Sequence, residues 1–343
     1  MAVPNVRNKP MRLCTLYSSY EGSQSPYKDI DPAVDPSWWL PDHTWSRQPL
    51  TRANSREVLE QLAKEDFDAF INLCDGAPDE DIAGVEVIQH LERLELPFTG
   101  ADSRFYAASR EEHKHAWLSQ GVSTPGYRFA SDLATVEQAA GELRFPILVK
   151  PHSGYASVGI EQDSRVGNRE ALLERAGRTL SRFGGALLEE FIEGREFTVL
   201  VSEPRPGEHS PWVHPPVEIH FPEGETFKHF DLKWMNYEAM NTRPVTDEGL
   251  VERLGDLARR TFLAVNARGY CRCDIRMNDA GQLFMLDCNA NPGVFYPPEQ
   301  PGSADFILSL QPHGHRDFLL HIIDCARRAR RKNAPALGVK EPE

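Results

Sequence analysis

Long apolar runs are missing from this chain. No stretch of its 343 residues approaches the ~20 needed to span a bilayer, so no membrane partner is expected. The start, MAVPNVRNKPMRLCTLYSS, has no apolar core of the kind a secretory signal carries, which leads us to expect a cytoplasmic protein. A basic excess is missing as well. The formal net charge of −13 disfavours a general nucleic-acid binder, because phosphate affinity needs a basic surface. The one basic cluster, ARRARRKN near the C-terminus, reads as the solvated end of a helix whose dipole it suits. Cysteine is sparse: six residues (Cys14, Cys74, Cys271, Cys273, Cys288, Cys325), scattered and mostly within apolar runs. This suits reduced, buried thiols rather than a disulfide framework. Cys271-Arg272-Cys273 lacks the matching second pair that a zinc site uses. Neither the Walker A pattern nor the dinucleotide fingerprint occurs, and there is no internal repeat. What is present is ordinary for a globular protein, 40% hydrophobic and 26% charged, at a length that suits two or three domains.

The first hundred residues alternate strand and helix. RLCTLYSS reads as a strand, SREVLEQLAKE as a helix capped by Ser55, FDAFINL as a buried strand, GVEVIQHLERL as an amphipathic helix and LPFTGA as one more strand and turn. That order argues a parallel α/β layer. Between the first strand and the first helix, Glu21 to Pro49 shows no sustained period. It reads as a long surface loop packed down by its aromatics (PSWWLPDHTW), with a substrate lid as the second reading. A helix from about Arg110 to Gln120 leads into strand FPILVK, helix REALLERAGRTL and strands ALLEEFI and EFTVLVSE. After a proline-rich stretch come VHPPVEIHF, FKHFDLKW, the helix EGLVERLGDLARRTFLAVN, a hairpin CRCDIRM-NDAG-QLFMLDCN and a closing helix over about Phe318 to Arg331.

Two local patterns carry chemistry. On the hairpin, residues two apart share a face, so Arg272 and Asp274 point one way and Asp287 and Asn289 likewise. If the two faces coincide, two carboxylates and an amide oxygen gather beside a guanidinium. Hard oxygen donors of this kind suit magnesium, with manganese as a possible substitute, and the competing reading is a set of solvated surface acids. The second pattern is PHSGYASVG, directly after strand FPILVK. Gly154, Ala156, Ser157 and Gly159 are small enough for backbone to approach phosphate oxygens, and Lys150 adds a point charge.

The series FPILVKPHSGYASVGI, ALLEEFIEGREFTV, Lys233 and GYCRCDIRMNDAGQLFMLDCNANPG resembles the ATP-grasp ligases, and within them the D-alanine–D-alanine ligase family, over roughly residues 70 to 325. The resemblance implies an α/β (α+β ATP-grasp) fold. A parallel α/β domain on the substrate side (1–103) would precede a central ATP-grasp part (104–187) and a C-terminal part with the metal site (188–343). It implies ATP and magnesium as cofactors. Lys150 and Lys233 would hold the nucleotide phosphates, with Arg110 at the position of a further phosphate lysine and Lys114 one turn on. Glu189 would lie near the adenine, the backbone at Glu190 and Ile192 would read its edge, and Glu196 would bind the ribose hydroxyls. Asp274, Asp287 and Asn289 would be the magnesium ligands, and Arg272 and the Gly293 N–H would stabilise an oxyanion. Glu21 would hold the first substrate's amine.

The sequence departs from the family on the substrate side. A serine and a tyrosine that join that acid stand here as Ala156 and Trp234, and the tail VFYPPEQPGSADF also differs. We therefore expect retained ATP chemistry with an altered pocket. The implied enzyme is an ADP-forming carbon–nitrogen ligase joining an amino acid to an acyl phosphate, or to an enol phosphate made from an enolisable ketone. Natural-product biosynthesis, of a dipeptide or a mycosporine-like amino acid, is the leading expectation. A true D-alanine–D-alanine ligase and a non-catalytic ATP-binding module are the alternatives. Homodimerisation is what the family suggests. Six of the twelve histidines (His113, His115, His152, His229, His313, His315) read as surface or loop residues rather than ligands, with His152 notable for adjoining the phosphate loop.

Overall fold

The computed structural model describes residues 9–25, 28, 33–77, 80–153, 157–234 and 240–333. The N-terminal region holds β1 (Arg12–Ser18), β2 (Thr44–Leu50), α1 (Ser55–Leu62), β3 (Ala69–Leu73) and α2 (Val85–Arg93). Its three strands form a parallel sheet in the order β2-β1-β3. All five residues of β3 are buried, as are four in the middle of β1, because both faces of the sheet are covered. The helices α1 and α2 close one face over Cys14, Leu16, Phe70 and Cys74.

The middle of the chain builds α3 (Ser103–Ala107), α4 (Arg110–Ser119), β4 (Tyr127–Ala130), α5 (Leu133–Glu142), β5 (Ile147–Pro151), β6 (Arg165–Val166), α6 (Arg169–Phe183) and β7 (Ala186–Glu190). The four strands form an antiparallel sheet, β4-β7-β5-β6. Alternation along β5 and β7 divides its faces: Ile147, Val149 and Leu188 pack on α5 and α6, while Leu148, Lys150 and Glu189 point the other way, into a cleft.

The remainder supplies β8 (Arg195–Ser202), β9 (Trp212–Val213), β10 (Val217–His220), α7 (Phe230–Trp234), β11 (Asn241–Pro244), α8 (Glu248–Ala264), β12 (Tyr270–Met277), β13 (Leu283–Asn289), α9 (Ser303–Ser309) and α10 (Gly314–Asn333). These strands form an antiparallel sheet, β11-β10-β8-β12-β13, with β9 also on β8. Its lower face packs Phe197, Val199, Val201, Cys273 and Ile275 against Leu254, Leu257 and Phe262 of α8. Among the described residues no helix is long and apolar enough to cross a membrane.

The last helix, α10, ties the ends together. Phe318, Leu319, Ile322 and Ile323 fill the space between Leu13, Ala69 and Ile71 of the first sheet and Leu200 and Tyr270 of the last. The Phe318 ring meets Tyr270 edge-on at 5.2 Å between centroids.

Several features differ from the sequence reading, among them β4 and α5, which it did not place. The stretch from Glu21 to Pro49 is not all loop, since it contains a 3-10 turn over Pro36–Trp39 and the edge strand β2. With TWSRQPL carrying Arg47 and Pro49, β2 has the polar, proline-tolerant character of a sheet edge rather than an apolar run. The residue at the N-cap of α1 is Asn54, and Ser55 is its first helical residue. LPFTGA gives only a single parallel bridge, Phe70–Phe98. Finally, His113, His229 and His315 are buried rather than surface residues.

Because α10 serves two sheets at once, Phe318→Ala should cost about 3–5 kcal/mol, the usual range for emptying a buried aromatic site. Urea denaturation followed by fluorescence would show it as a lowered midpoint, and a change within about 0.5 kcal/mol would mean that α10 is not a structural tie.

Candidate active site

The cleft between the central and C-terminal sheets encloses about 370 Å³. Its floor is set by strand register. Arg272 pairs with Asn289 and Asp274 with Asp287, and directly opposed residues of an antiparallel pair share a face. That register depends on a bulge. Ile275 pairs with Met285, so the extra residue Leu286 intervenes before Asp287 meets Asp274. Without it Asp274 would face Leu286, and the acids would fall on opposite faces.

The charges on this floor are interlocked. Arg272 donates to both carboxylate oxygens of Asp274, Nε to Oδ1 at 3.1 Å and Nη2 to Oδ2 at 2.8 Å, and its Nη1 reaches Ser303 Oγ at 2.5 Å. Lys228 lies 3.5 Å from Asp274 and 3.0 Å from Glu196. Arg276, two residues along from Asp274 and on the same face, holds Glu196 at 3.0 Å and the Ile192 carbonyl at 2.7 Å. Burial pushes the Asp274 carboxyl up, but the Arg272 guanidinium and the Lys228 ammonium outweigh it and hold it far below the usual carboxylate range. Asp287 and Asn289 complete an oxygen-rich set beside these cations, and this donor chemistry fits a hard divalent ion.

The roof comes from the central sheet. Lys150 Nζ sits 2.5 Å from Glu189 Oε2, and Lys114, buried on α4, pairs with the other oxygen of the same carboxylate. Lys114 also donates to Thr124 Oγ1 at 2.7 Å, and Thr124 donates to the Met285 carbonyl at 2.9 Å, which joins the two sheets. Arg110, at the start of α4, donates to the Pro151 carbonyl at 3.0 Å and lines the cleft. Beside them Leu148, Ile160, Phe191 and Phe227 form a separate apolar slot. Next to this slot the Glu190 N–H donates to the Gly126 carbonyl and the Glu190 carboxylate pairs with Arg144.

On the remaining side the loop after β13 is held by Asp305. Its carboxylate accepts the N–H groups of Phe295, Tyr296 and Gly302 and contacts His315 Nε2 at 2.9 Å. His315 in turn stacks on Trp39 with ring centroids 3.9 Å apart. Gly293 and Gly302 permit the close approach: a Cβ on Gly302 would meet the Gly293 carbonyl oxygen at 2.5 Å, and one on Gly293 would meet the Tyr296 ring at 2.7 Å.

A family model described as "D-ala D-ala ligase C-terminus" matches residues 123–296, just over half of the chain. The D-alanine–D-alanine ligase of Xanthomonas axonopodis pv. citri is 32% identical over 244 residues, covering 69% of this chain and 72% of that protein. The chain belongs to the D-alanine–D-alanine ligase family. A further family member, from Ectopseudomonas mendocina, is 31% identical over the same shares of the two chains. Solved structures of D-alanine–D-alanine ligases from Bacillus anthracis (TM-score 0.68, 18% identity, 95% of this chain and 100% of that one) and Coxiella burnetii (0.69, 16%, 94% and 95%) carry the same ATP-grasp fold. The protein is thus an ATP-dependent, ADP-forming carbon–nitrogen ligase of the D-alanine–D-alanine ligase type.

Of the residues expected from the sequence, this family member brings Arg110, Lys150, Ser157, Glu189, Glu190, Ile192, Glu196, Arg272, Asp274, Asp287 and Asn289 to one cleft. Ser157 does so with φ of +67° and a 3.4 Å contact from its Oγ to the Lys228 carbonyl. Glu21 lies apart, exposed in a turn beyond β1. Ala156 and the side chains of Lys233 and Trp234 lie outside the described residues, so the altered-pocket expectation that rested on them has no geometry here. The sequence reading missed Arg276, Lys228 and Ser303. Arg276 was available from strand alternation with Asp274, whereas Lys228 comes from a loop and Ser303 from the first turn of α9, and neither carries a local signal.

The Glu189 centre generates a pH prediction. Burial pushes this carboxyl up, but Lys114 and Lys150 outweigh it and bring it from 4.5 to about 2. A carboxyl depressed on folding contributes stability above its unfolded value, and that stability is lost as pH falls from about 4.5 through 2. Glu189→Gln should remove this part of the acid dependence. It should also cost about 3–5 kcal/mol at neutral pH, because Lys114 is left buried without its counter-charge. Urea titrations of both proteins between pH 2 and 7 would test it, and parallel stability–pH curves would refute it.

Proposed function

We propose that this chain is a D-alanine–D-alanine ligase, joining two D-alanine molecules at the expense of ATP. The observation that carries the reading is the cleft floor. The acids Asp274 and Asp287 face each other across the bulged hairpin beside Arg272, under Lys150, in a chain of this family. The curated relatives favour this reading over natural-product biosynthesis, since those quoted above are D-alanine–D-alanine ligases. Nothing among them supports an enol or ketone substrate.

In this reading adenine lies in the slot of Leu148, Ile160, Phe191 and Phe227, with backbone groups at Glu190 and Ile192 on its edge. Glu196 accepts from the ribose hydroxyls, and Arg276 and Lys228 hold its carboxylate in place. Arg110, Lys150, Lys233 and the backbone at Ser157 hold the phosphates. Asp274, Asp287 and Asn289 would hold magnesium, which when bound neutralises charge on the β- and γ-phosphates. The carboxylate of the first D-alanine attacks the γ-phosphorus, ADP leaves, and an acyl phosphate remains. The amine of the second D-alanine then attacks the acyl carbon, and inorganic phosphate departs. Arg272, anchored by Asp274 and Ser303, stabilises the oxyanion of that step together with the Gly293 N–H. Glu21 is proposed to bind the amine of the first D-alanine, which requires its exposed turn to close on the cleft. The three-part division at 1–103, 104–187 and 188–343 follows the same proposal.

The test is ADP release with magnesium and D-alanine, against L-alanine and against cyclic ketones paired with amino acids. Turnover is expected with D-alanine. Turnover confined to a ketone pair, with none for D-alanine, would overturn the assignment. Asp287→Ala should lower magnesium-dependent ADP release at least ~100-fold while the protein unfolds at the parent midpoint. Glu196→Gln should raise the KM for ATP about tenfold to a hundredfold and leave that for 2′,3′-dideoxy-ATP nearly unchanged. Equal losses for both nucleotides would take Glu196 out of the ribose role.

A further inference from the structure

The hairpin that carries the oxygen donors has a second face. On β12, Cys271 and Cys273 flank Arg272 and therefore point away from it, and on β13 Cys288 stands between Asp287 and Asn289. The bulge at Leu286 that aligns Asp274 with Asp287 also sets Cys288 directly opposite Cys273. One register thus gathers oxygen ligands above the sheet and sulfur below it. The three Sγ atoms all lie within 4.8 Å of one another, with Cys271 and Cys273 at 4.0 Å. The three residues are 0%, 0% and 3% exposed.

We propose that Cys271, Cys273 and Cys288 form a trigonal thiol site for a soft metal cation, separate from the oxygen-lined cleft on the other face of the same hairpin. A metal–sulfur bond of about 2.3 Å places sulfurs about 4.0 Å apart in a trigonal plane and about 3.8 Å apart on a tetrahedron. The observed spacing meets this with little movement of the strands. The donor set selects against hard cations, because no carboxylate or imidazole joins the three sulfurs within that distance among the described residues. The surroundings (Phe197, Val199, Ile275, Met285) are buried and apolar, which favours ions that accept soft ligands. A divalent ion would displace two protons to solvent, leaving two thiolates and one thiol around it. That complex is neutral, as an apolar interior requires. The competing account is that the thiols pack as small apolar side chains and bind nothing. The pattern Cys-Arg-Cys alone lacked ligands for a metal. The third sulfur comes from the neighbouring strand through a bulge that sequence spacing does not reveal.

Cadmium(II) is the probe, because sulfur-to-cadmium charge transfer absorbs in the ultraviolet and its detection needs no ligase turnover. The full-length reduced protein is incubated for a day with an equimolar amount of the ion. In parallel it is produced in cadmium-supplemented medium, so that the ion can enter while the chain folds. We expect one cadmium per chain after gel filtration, the charge-transfer band, and a raised Tm. Cys271→Ala and Cys288→Ala should each lose the bound ion at least tenfold, while a variant with Cys14, Cys74 and Cys325 all replaced by Ala keeps it. Should Cys288→Ala not fold, Cys288→Ser and Cys273→Ala carry the same comparison. No cadmium in either preparation, full retention by the Cys271 and Cys288 variants, or loss in the Cys14/Cys74/Cys325 variant would each overturn the proposal. These results are independent of whether D-alanine is the substrate.

Discussion

One unpaired residue in a β-ladder governs both faces of the C-terminal sheet. In a regular antiparallel pair the partner of Asp274 would be Leu286, and Cys288 would stand opposite Arg272. The bulge shifts every residue from Asp287 onward by one place, so that acid meets acid, amide meets arginine and thiol meets thiol. A one-residue slip inverts which side chains are buried, and this ladder is held against slipping from below by Ile275, Met285 and the packing of α8. The donation from Met285 N–H to the Ser123 carbonyl adds an anchor immediately before the bulge. The geometry of the site is therefore secured by core packing rather than by the site residues themselves.

The cleft charges are costly to bury, and the structure answers by sharing them. Glu189 serves two lysines, Glu196 serves Arg276 and Lys228, and Asp274 serves Arg272 and Lys228. Such chains satisfy each carboxylate from more than one side, which a single buried pair cannot do. They also fix the positions of the cations before any nucleotide arrives, so little side-chain ordering is left to oppose binding. Lys114 illustrates the division of labour. It is nearly inaccessible, so it contributes by holding Glu189 against Lys150 rather than by touching a ligand.

Strand periodicity made much of this legible before any coordinates. Arg272, Asp274, Asp287 and Asn289 could be placed on one hairpin because residue types alternate there, and the Asn278–Gly281 turn is closed as expected by a 2.8 Å bond from the Gly281 N–H to the Asn278 carbonyl. Buried strands such as β3 and β8 announced themselves as apolar runs. What stayed hidden depends on contacts distant in sequence. The edge strand β2 lacks an apolar signature because one of its sides is open. His315 looked like a loop residue, and only the fold reveals its place between Trp39 and Asp305. Lys228 reaches the site from a loop and Ser303 from the start of α9, and no local pattern dictates either path. The bulge is invisible for a related reason: Leu286 is an ordinary strand residue, and only pairing on both sides of it shows that it has no partner.

The overall acidity of the chain also needs reconciling with a phosphate-bearing substrate. The lining of the cleft includes Arg110, Lys150, Lys228, Arg272 and Arg276 against Glu189, Glu190, Glu196, Asp274 and Asp287. The −13 therefore resides elsewhere on the molecule. Within this balanced set, two groups stand outside the ion pairs found among the described residues: Arg110, bonded to a backbone carbonyl, and Asp287, bonded to the N–H of Cys288. One is a cation without a counter-charge and the other a carboxylate without one, on opposite walls. A phosphate tail carrying a divalent cation matches that arrangement, because its oxygens satisfy Arg110 while its metal satisfies Asp287. The paired charges form the frame, and these two hold the remaining valence that such a ligand would take up.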